Sequence, residues 1–246
     1  FFRCPPPNPC LRQESRKKPG PGGMDRDNLE DLIQYKIAFK TGSRQKGALG
    51  MANPTIKYYE QNAADHFRQT AALDLAALYQ PFLKHLQPGA WVLDAGCGSG
   101  RDSKAFLNLG FKITAFDLSP KMTKLSSQFL RQEVLLLDFE HLHLSRQYEG
   151  IWASASLLHI ERSKLVSVIN KLIDYLAPKG IFYMSFKYGD KEYRKDGRYF
   201  NCLDESLFSQ ILLQIPRLRL KKLSTTSDVR SKHKGRWLNA YLLRLL

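Results

Sequence analysis

The residues best suited to ligand chemistry form a glycine-rich run directly after a short apolar segment. Residues 91–93 are apolar, Asp94 ends the segment, and Gly96, Gly98 and Gly100 then alternate with small residues. Glycine has no Cβ and tolerates positive φ, so it lets backbone approach a ligand closely. The pattern is typical of a buried strand that turns tightly into a helix at a nucleotide-type site. The run therefore predicts a ligand at the end of a parallel strand.

The spacing of these glycines argues against two classes of nucleotide site. The dinucleotide fingerprint G-x-G-x-x-G would place its third glycine at the position of Arg101, so an NAD-dependent oxidoreductase is disfavoured. A phosphate-binding P-loop would continue with Gly-Lys-Ser/Thr, and that sequence does not follow. An ordinary strand–helix connection, with no ligand, is the remaining alternative for a single glycine-rich turn.

An acid followed by G-x-G-x-G resembles the first motif of the class I S-adenosylmethionine-dependent methyltransferases. S-adenosylmethionine carries a sulfonium and no phosphate, so its loop needs close backbone and a nearby carboxylate rather than a lysine. The resemblance implies that the Asp94 carboxylate lies near the cationic part of this cofactor. The cofactor-binding residues that it implies within the loop are Asp94, Gly96, Cys97, Gly98 and Gly100.

A second acid follows the next predicted strand. Segment 111–116 alternates in polarity and ends at Asp117, about 20 residues beyond the glycine run. A carboxylate at this point can accept hydrogen bonds from both ribose hydroxyls of a nucleoside. A helix start, with Ser119 as N-cap and Pro120 as first residue, is an alternative that can hold at the same time. The neighbouring residues assigned to the same cofactor pocket are Leu118 and Met122.

A third acid, Asp138, follows the apolar segment 134–137. The resemblance implies that Asp138 accepts from the adenine amino group while Phe139 lies against the adenine ring. The alternative for Asp138 is a turn or helix-cap residue. Three consecutive strands that each end on aspartate predict a ligand outside the carboxyl ends of a parallel sheet.

Small residues close a fourth predicted strand, 150–156. The resemblance implies that Ser154 leaves space beside the methionine part of the cofactor, and that Tyr59, from a preceding helix, lies near it. His159 stands where many small-molecule methyltransferases carry a histidine. A neutral imidazole can accept a proton from a nucleophile, so His159 is the candidate for catalysis. The alternatives are a structural histidine at a helix start and, for Tyr59, a core aromatic residue.

The elements that must position these residues alternate between strand and helix. The remaining segments are helical patterns at 54–86, 161–176 and 204–213, strand patterns at 181–186, 218–223 and 237–245, and a long polar loop at 187–201. With the resemblance, this order predicts an α/β, Rossmann-like methyltransferase fold. Its sheet is expected to have seven mostly parallel strands, an antiparallel last strand and helices on both faces.

Composition sets further expectations for the 246 residues. Residues 1–50 are rich in proline and glycine, so we expect them to be a disordered or non-native extension and residues 51–246 to be the methyltransferase domain. Four cysteines without a C-x-x-C pair and the lack of a signal sequence favour the cytoplasm, and no apolar run is long enough to span a membrane. No metal site is expected, because His141 and His143 have no further ligands nearby.

The resemblance implies an S-adenosylmethionine-dependent methyltransferase that acts on a small molecule. The formal net charge of +15, much of it after the fifth strand, keeps an RNA or protein methyltransferase as an alternative. A non-catalytic S-adenosylmethionine-binding partner subunit is a second alternative.

Overall fold

Seven strands of the described chain form the sheet that positions the predicted site. The computed structural model describes residues 53–230 and 235–246. The strands are, in chain order, β1 Trp91–Ala95, β2 Lys112–Asp117, β3 Leu135–Leu136, β4 Tyr148–Ala153, β5 Leu176–Lys187, β6 Glu192–Lys195, β7 Arg198–Asn201, β8 Leu218–Ser227 and β9 Arg236–Arg244. The sheet runs in the order β3-β2-β1-β4-β5-β9-β8, and β6 pairs with β7 separately. Strands β1 to β5 are parallel, and β9 is antiparallel to its neighbours β5 and β8, as predicted.

Helices cover both faces of this sheet, as predicted. The α-helices are α1 Pro54–Thr70, α2 Ala76–Leu83, α3 Arg101–Asn108, α4 Pro120–Leu130, α5 Arg162–Asp174 and α6 Glu205–Leu213. Successive side chains of a strand point to opposite faces. On β1, Val92 packs in a cluster with Phe82 of α2 and Phe106 of α3, whereas Leu93 packs in a second cluster with Leu165 of α5 and Phe208 of α6. The core therefore lies on both sides of the central strand.

Side-chain caps fix the start of the two helices nearest the site. The Asn53 side chain accepts a hydrogen bond from Thr55 N (2.9 Å) at the start of α1. The Ser119 hydroxyl accepts from Met122 N (3.2 Å) at the start of α4, so the helix start that the sequence suggested there is formed.

The prediction of a polar loop at 187–201 is wrong, because most of this segment forms the β6–β7 hairpin. Lys195 pairs with Arg198, so the loop between the strands has two residues. Asp196 and Gly197 have φ angles of 51° and 77°, which is the geometry of a type I′ turn. An Asp-Gly pair between strand-like residues is a known hairpin signal, so the sequence carried this information.

The helical pattern 54–86 forms the two helices α1 and α2, and one element boundary differs from the prediction. The helix predicted at 161–176 ends at Asp174, and strand β5 begins at Leu176, which pairs with Tyr148 of β4. The shift arises because backbone pairing with β4 begins five residues before the apolar run that marked the strand in the sequence.

The predicted boundary between residues 1–50 and 51–246 lies outside the described residues. None of the helices in the described ranges is both long and apolar enough to cross a membrane. Within the same ranges, no group of three or more His, Cys, Asp or Glu side chains could hold a metal ion.

Candidate functional site

The glycine loop after β1 is held against the ends of two other strands. The backbone N–H groups of Gly96 and Cys97 both donate to the Phe116 carbonyl, at 3.0 and 2.9 Å. Gly96 has a φ of 77°, and a Cβ there would lie 2.5 Å from the Cβ of Ser156. Both the positive φ and the lack of space therefore disfavour any side chain at this position. Gly96 lets the loop approach the end of β4.

Gly98 has the opposite surroundings. Its φ is 53°, but a Cβ there would meet nothing closer than the His66 ring, at 3.9 Å. The loop is thus open in front of Gly98, where a ligand can approach the backbone. At Gly100 a Cβ would lie 3.2 Å from the Leu130 side chain, so this glycine serves the packing of α3 against α4.

A cavity of about 460 Å³ lies at the carboxyl ends of the parallel strands, a size typical of small-molecule sites. The predicted site residues that line it are Tyr59, Asp94, Gly96, Cys97, Gly98, Asp117, Leu118, Met122, Phe139, Ser154 and His159. Gly100 and Asp138 were also predicted and do not line it. The fold therefore brings eleven of the thirteen predicted residues to one cavity.

Asp117 joins the glycine loop to the start of α4. One carboxylate oxygen accepts from Gly98 N and the other from Ser119 N, both at 2.9 Å. Burial raises the pKa of Asp117, and these backbone hydrogen bonds oppose that rise. Each carboxylate oxygen can accept more than one hydrogen bond, so the group retains acceptor capacity toward the cavity.

Asp94 lies beneath the loop in a buried polar network. One of its oxygens accepts from the hydroxyl and the backbone N–H of Ser103, at 2.6 and 3.2 Å. Burial and then the nearby Asp102 carboxylate raise the pKa of Asp94 to about 7. A cation that enters the cavity next to Asp94 would favour the ionised form of this carboxylate.

Asp102 is the centre of a second buried group of hydrogen bonds, and the sequence did not single it out. Its carboxylate accepts from the Tyr79 hydroxyl (2.7 Å), the Trp152 indole N–H (2.8 Å) and the Arg101 guanidinium (2.7 Å). Burial alone would raise the pKa of Asp102, but the Arg101 charge and these hydrogen bonds hold it below its ordinary value. No local pattern signals this residue, because two of its partners come from distant parts of the chain.

His159 lies between a tyrosine hydroxyl and a backbone carbonyl. Its Nδ1 is 2.6 Å from the Tyr199 carbonyl oxygen, which can only accept, so Nδ1 carries the proton. Nε2 therefore accepts from the Tyr59 hydroxyl, at 2.9 Å. Burial lowers the pKa of His159 to about 4 and raises the pKa of Tyr59 to about 12. Because Tyr59 occupies the one free lone pair of the ring, this geometry favours a positioning role for His159 over that of a direct base.

The third predicted acid has local partners. The Asp138 carboxylate accepts from the backbone N–H groups of Glu140 (2.7 Å) and His141 (2.6 Å), as a turn residue does. The adenine role predicted for Asp138 is therefore not supported by its position. Phe139 does line the cavity, and its ring packs edge-on against Phe116 at 5.2 Å between centroids.

The β6–β7 hairpin supplies a wall of the cavity, in a segment that the sequence indicated only as a long polar loop. Tyr199 N donates to Thr55 Oγ1 of α1 (3.0 Å), and the Arg162 guanidinium donates to Asn201 Oδ1 (3.0 Å) and to the Cys202 carbonyl (2.9 Å). These contacts fix the hairpin to α1 and α5. Its cavity-lining residues are Lys195, Asp196, Arg198 and Phe200.

Comparison with known proteins identifies the domain. Residues 92–180, which hold the glycine loop, Asp117, Phe139 and His159, match the model of a family described as a methyltransferase domain. This part of the chain matches a methyltransferase domain. The resemblance seen in the glycine run is confirmed at this level.

Curated relatives of the methyltransferase domain match over part of their length. A ubiquinone biosynthesis O-methyltransferase of Xanthomonas campestris pv. campestris is 29% identical over 105 residues, which cover 40% of this chain and 43% of that protein. A malonyl-[acyl-carrier protein] O-methyltransferase of Pseudescherichia vulneris is 35% identical over 92 residues, or 37% of this chain and 34% of that protein. The match thus spans less than half the length of these relatives.

Solved structures share the fold of the methyltransferase domain over most of the chain. The 1,6-didemethyltoxoflavin-N1-methyltransferase of Burkholderia thailandensis, solved with its namesake compound and S-adenosylhomocysteine, has a TM-score of 0.58 and 19% identity, covering 93% of this chain and 94% of that chain. The magnesium protoporphyrin IX methyltransferase of Synechocystis PCC 6803, with bound S-adenosylhomocysteine, has a TM-score of 0.61 and 16% identity, covering 78% of this chain and 99% of that chain. At these identities the likeness shows the fold.

Proposed function

We propose that the protein transfers the methyl group of S-adenosylmethionine to a small-molecule acceptor. The observation that carries this proposal is the cavity at the strand ends, where the open backbone at Gly98, the Asp117 carboxylate and the Phe139 ring face one space. The named O-methyltransferase relatives and the neighbours solved with S-adenosylhomocysteine support it.

The residues around the cavity fit the parts of this cofactor. Asp117 would accept from the ribose hydroxyls, while Phe139 and the apolar side chains of Leu118 and Met122 would surround the adenine. A Cβ at Gly98 would enter the space that the amino-acid part requires. Asp94 would face its cationic groups. When bound, S-adenosylmethionine supplies an electrophilic methyl group on a sulfonium.

At the end of the cavity that would hold the methyl acceptor, the side chains orient the acceptor rather than remove a proton from it. Tyr59 keeps its proton, because its pKa is raised, and directs that proton at His159 Nε2. The Arg198 guanidinium faces the Tyr59 oxygen and opposes the rise in pKa that burial causes. Methyl transfer depends mainly on alignment of the nucleophile with the methyl carbon, so a fixed tyrosine hydroxyl contributes by orientation.

Calorimetry tests the cofactor assignment directly. We expect S-adenosylmethionine and S-adenosylhomocysteine to bind and NAD to give no heat of binding. Transfer of labelled methyl groups to a metabolite panel, with RNA and protein fractions as further arms, then tests the acceptor class. Binding of NAD without either adenosyl ligand would overturn the proposal, and binding without transfer to any acceptor would favour a non-catalytic partner subunit.

A further inference from the structure

Arg198 of the hairpin has a donor that nothing in the described chain satisfies. Its Nε is buried and has no hydrogen-bond partner among residues 53–230 and 235–246. The guanidinium stacks on the Tyr58 ring at 4.0 Å and lies 5.2 Å from the centroid of Phe200. One terminal nitrogen pairs with Asp196 at 3.3 Å. A buried guanidinium N–H without an acceptor is costly, so its place on a cavity wall indicates a ligand acceptor atom.

Lys187 lines the same cavity and touches the same aromatic ring. Its Nζ lies 4.2 Å from the Phe200 centroid and donates to the Tyr193 hydroxyl at 3.3 Å. Within the described ranges no carboxylate forms an ion pair with it. Burial, together with the charges of Arg198 and Arg230, lowers the pKa of Lys187. Within the described residues, the Lys187 ammonium thus has no carboxylate partner, whereas Arg198 has Asp196 and one unsatisfied N–H.

The other charges at this end of the cavity are balanced differently. Arg230 forms two hydrogen bonds to the Asp228 carboxylate, at 2.6 and 2.9 Å, and Trp237 donates to the same group at 3.2 Å. Asp196 is the acid on the hairpin turn, and its side chain is largely exposed to solvent. The Arg230 guanidinium is therefore already bound to a carboxylate, that of Asp228. Arg198 and Lys187 retain N–H groups that can donate to an anion.

We propose that the methyl acceptor carries a carboxylate, and that Arg198 and Lys187 bind this carboxylate in the cavity beside the Tyr59 hydroxyl. The inference rests on the proposed function, since it names the substrate class of that site. A guanidinium is the side chain best matched to a planar carboxylate, because its parallel N–H groups can donate to both oxygens. Arg198 lies over the Tyr58 ring and Lys187 over the Phe200 ring, so aromatic contacts hold both cations in place on the cavity wall.

Matched acid and amide probes test the inference without knowledge of the natural acceptor. We would titrate para-fluorobenzoate against para-fluorobenzamide, and phenylacetate against phenylacetamide, and follow binding by ligand-observed NMR. Each series is measured with and without S-adenosylhomocysteine at constant ionic strength. We expect each acid to bind about tenfold more tightly than its amide, the scale of one charge-assisted interaction.

The variants decide which residues cause the preference. Arg198→Gln should abolish the tenfold difference, and Lys187→Gln should reduce it. Arg219→Gln and Lys124→Gln, which change exposed residues outside the cavity, should leave it unchanged. Equal binding of acid and amide, including no binding of either, would overturn the inference, as would a preference that survives in both cavity variants. Failure of S-adenosylhomocysteine to bind the unaltered protein would instead overturn the proposed function, and the arm without that ligand would still report on the carboxylate site.

Discussion

The Tyr59 hydroxyl donates a 2.9 Å hydrogen bond to Nε2 of His159, one hundred residues later in the chain. The bond joins helix α1 to the turn after β4, and the Tyr199 carbonyl fixes the tautomer of the histidine from the hairpin. Three separate segments thus hold one phenol at the cavity. The Nε2 lone pair of His159, the residue predicted as a base, therefore already accepts a hydrogen bond from Tyr59.

Removal of this hydroxyl should slow the reaction. We expect Tyr59→Phe to lower kcat about fivefold, because a hydrogen bond that orients the acceptor is worth roughly 1 kcal/mol. The measurement is steady-state turnover at saturating cofactor, once an acceptor is in hand. Tyr175→Phe is the matched control, because Tyr175 does not line the cavity and its hydroxyl donates to the Leu142 carbonyl. Unchanged turnover in Tyr59→Phe would contradict the positioning role.

The pH dependence of kcat separates a positioning histidine from a base. The pKa of His159 is lowered to about 4 and that of Tyr59 is raised to about 12, so neither group changes its charge near neutrality. We therefore expect no inflection in kcat near pH 6.5, the ordinary pKa of histidine. The profile of His159→Gln should have the same shape at a lower amplitude. An inflection in the unaltered protein that the variant lacks would restore His159 as a base.

Asp117→Ala should weaken S-adenosylmethionine binding by about 1–3 kcal/mol, through loss of the hydrogen bonds that a carboxylate accepts from hydroxyl groups. The variant also removes the acceptor for Gly98 N, so the loop loses a support at the same time. Calorimetry gives the affinity. Glu161→Ala, at an exposed position outside the cavity, is the control. An affinity equal to that of the unaltered protein would remove Asp117 from the cofactor site.

Alanine substitutions at Gly96 and Gly98 of the loop should differ in their cost in stability, with Gly89, before β1, as the reference. Gly89 has a φ of 76° and no atom within 4 Å of a Cβ, so Gly89→Ala measures the cost of the left-handed backbone alone, about 1–2 kcal/mol. Gly96→Ala should destabilise the protein by more than this reference, because its Cβ would lie 2.5 Å from that of Ser156.

Gly98→Ala should cost only the reference amount in stability while it reduces cofactor affinity, since its Cβ enters open space at the cavity. Urea unfolding and calorimetry on the three variants provide the two readouts. If Gly98→Ala bound S-adenosylhomocysteine as well as Gly89→Ala does, the assignment of Gly98 to the cofactor site would be wrong.

Binding of S-adenosylmethionine should release protons from Asp94. The pKa of this carboxylate is raised to about 7, so near pH 7 a substantial fraction is protonated, and a cation beside it favours the ionised form. The released proton is taken up by the buffer, so the binding enthalpy near this pH should vary with the ionisation enthalpy of the buffer. Calorimetry in phosphate and in Tris measures this difference. Asp94→Asn should abolish it, and an enthalpy equal in both buffers for the unaltered protein would contradict the assignment.

Much of the fold and of the cofactor end could be predicted because the relevant signals are local. Short apolar runs marked most of the strands, and glycine at positions of positive φ marked the loop after β1. The Asp-Gly turn of the β6–β7 hairpin was equally local, but the many polar residues around it suggested a loop instead. The first five residues of β5 were missed for a different reason, since residues 176–180 do not form an apolar run and their strand conformation depends on the neighbouring β4.

The types and order of residues along the chain determined the fold class, the glycine loop and the acids that follow its strands, because backbone conformation and strand periodicity are set within a few residues. Only the tertiary structure decided which of those acids reach the cavity. Asp117 lines it, whereas the Asp138 carboxylate accepts hydrogen bonds from nearby backbone N–H groups instead. It also brought Tyr59 to His159, and placed Arg198 of the hairpin against Tyr58 of α1. Such contacts depend on how helices and a hairpin pack across the end of the sheet, and no short-range pattern records that packing.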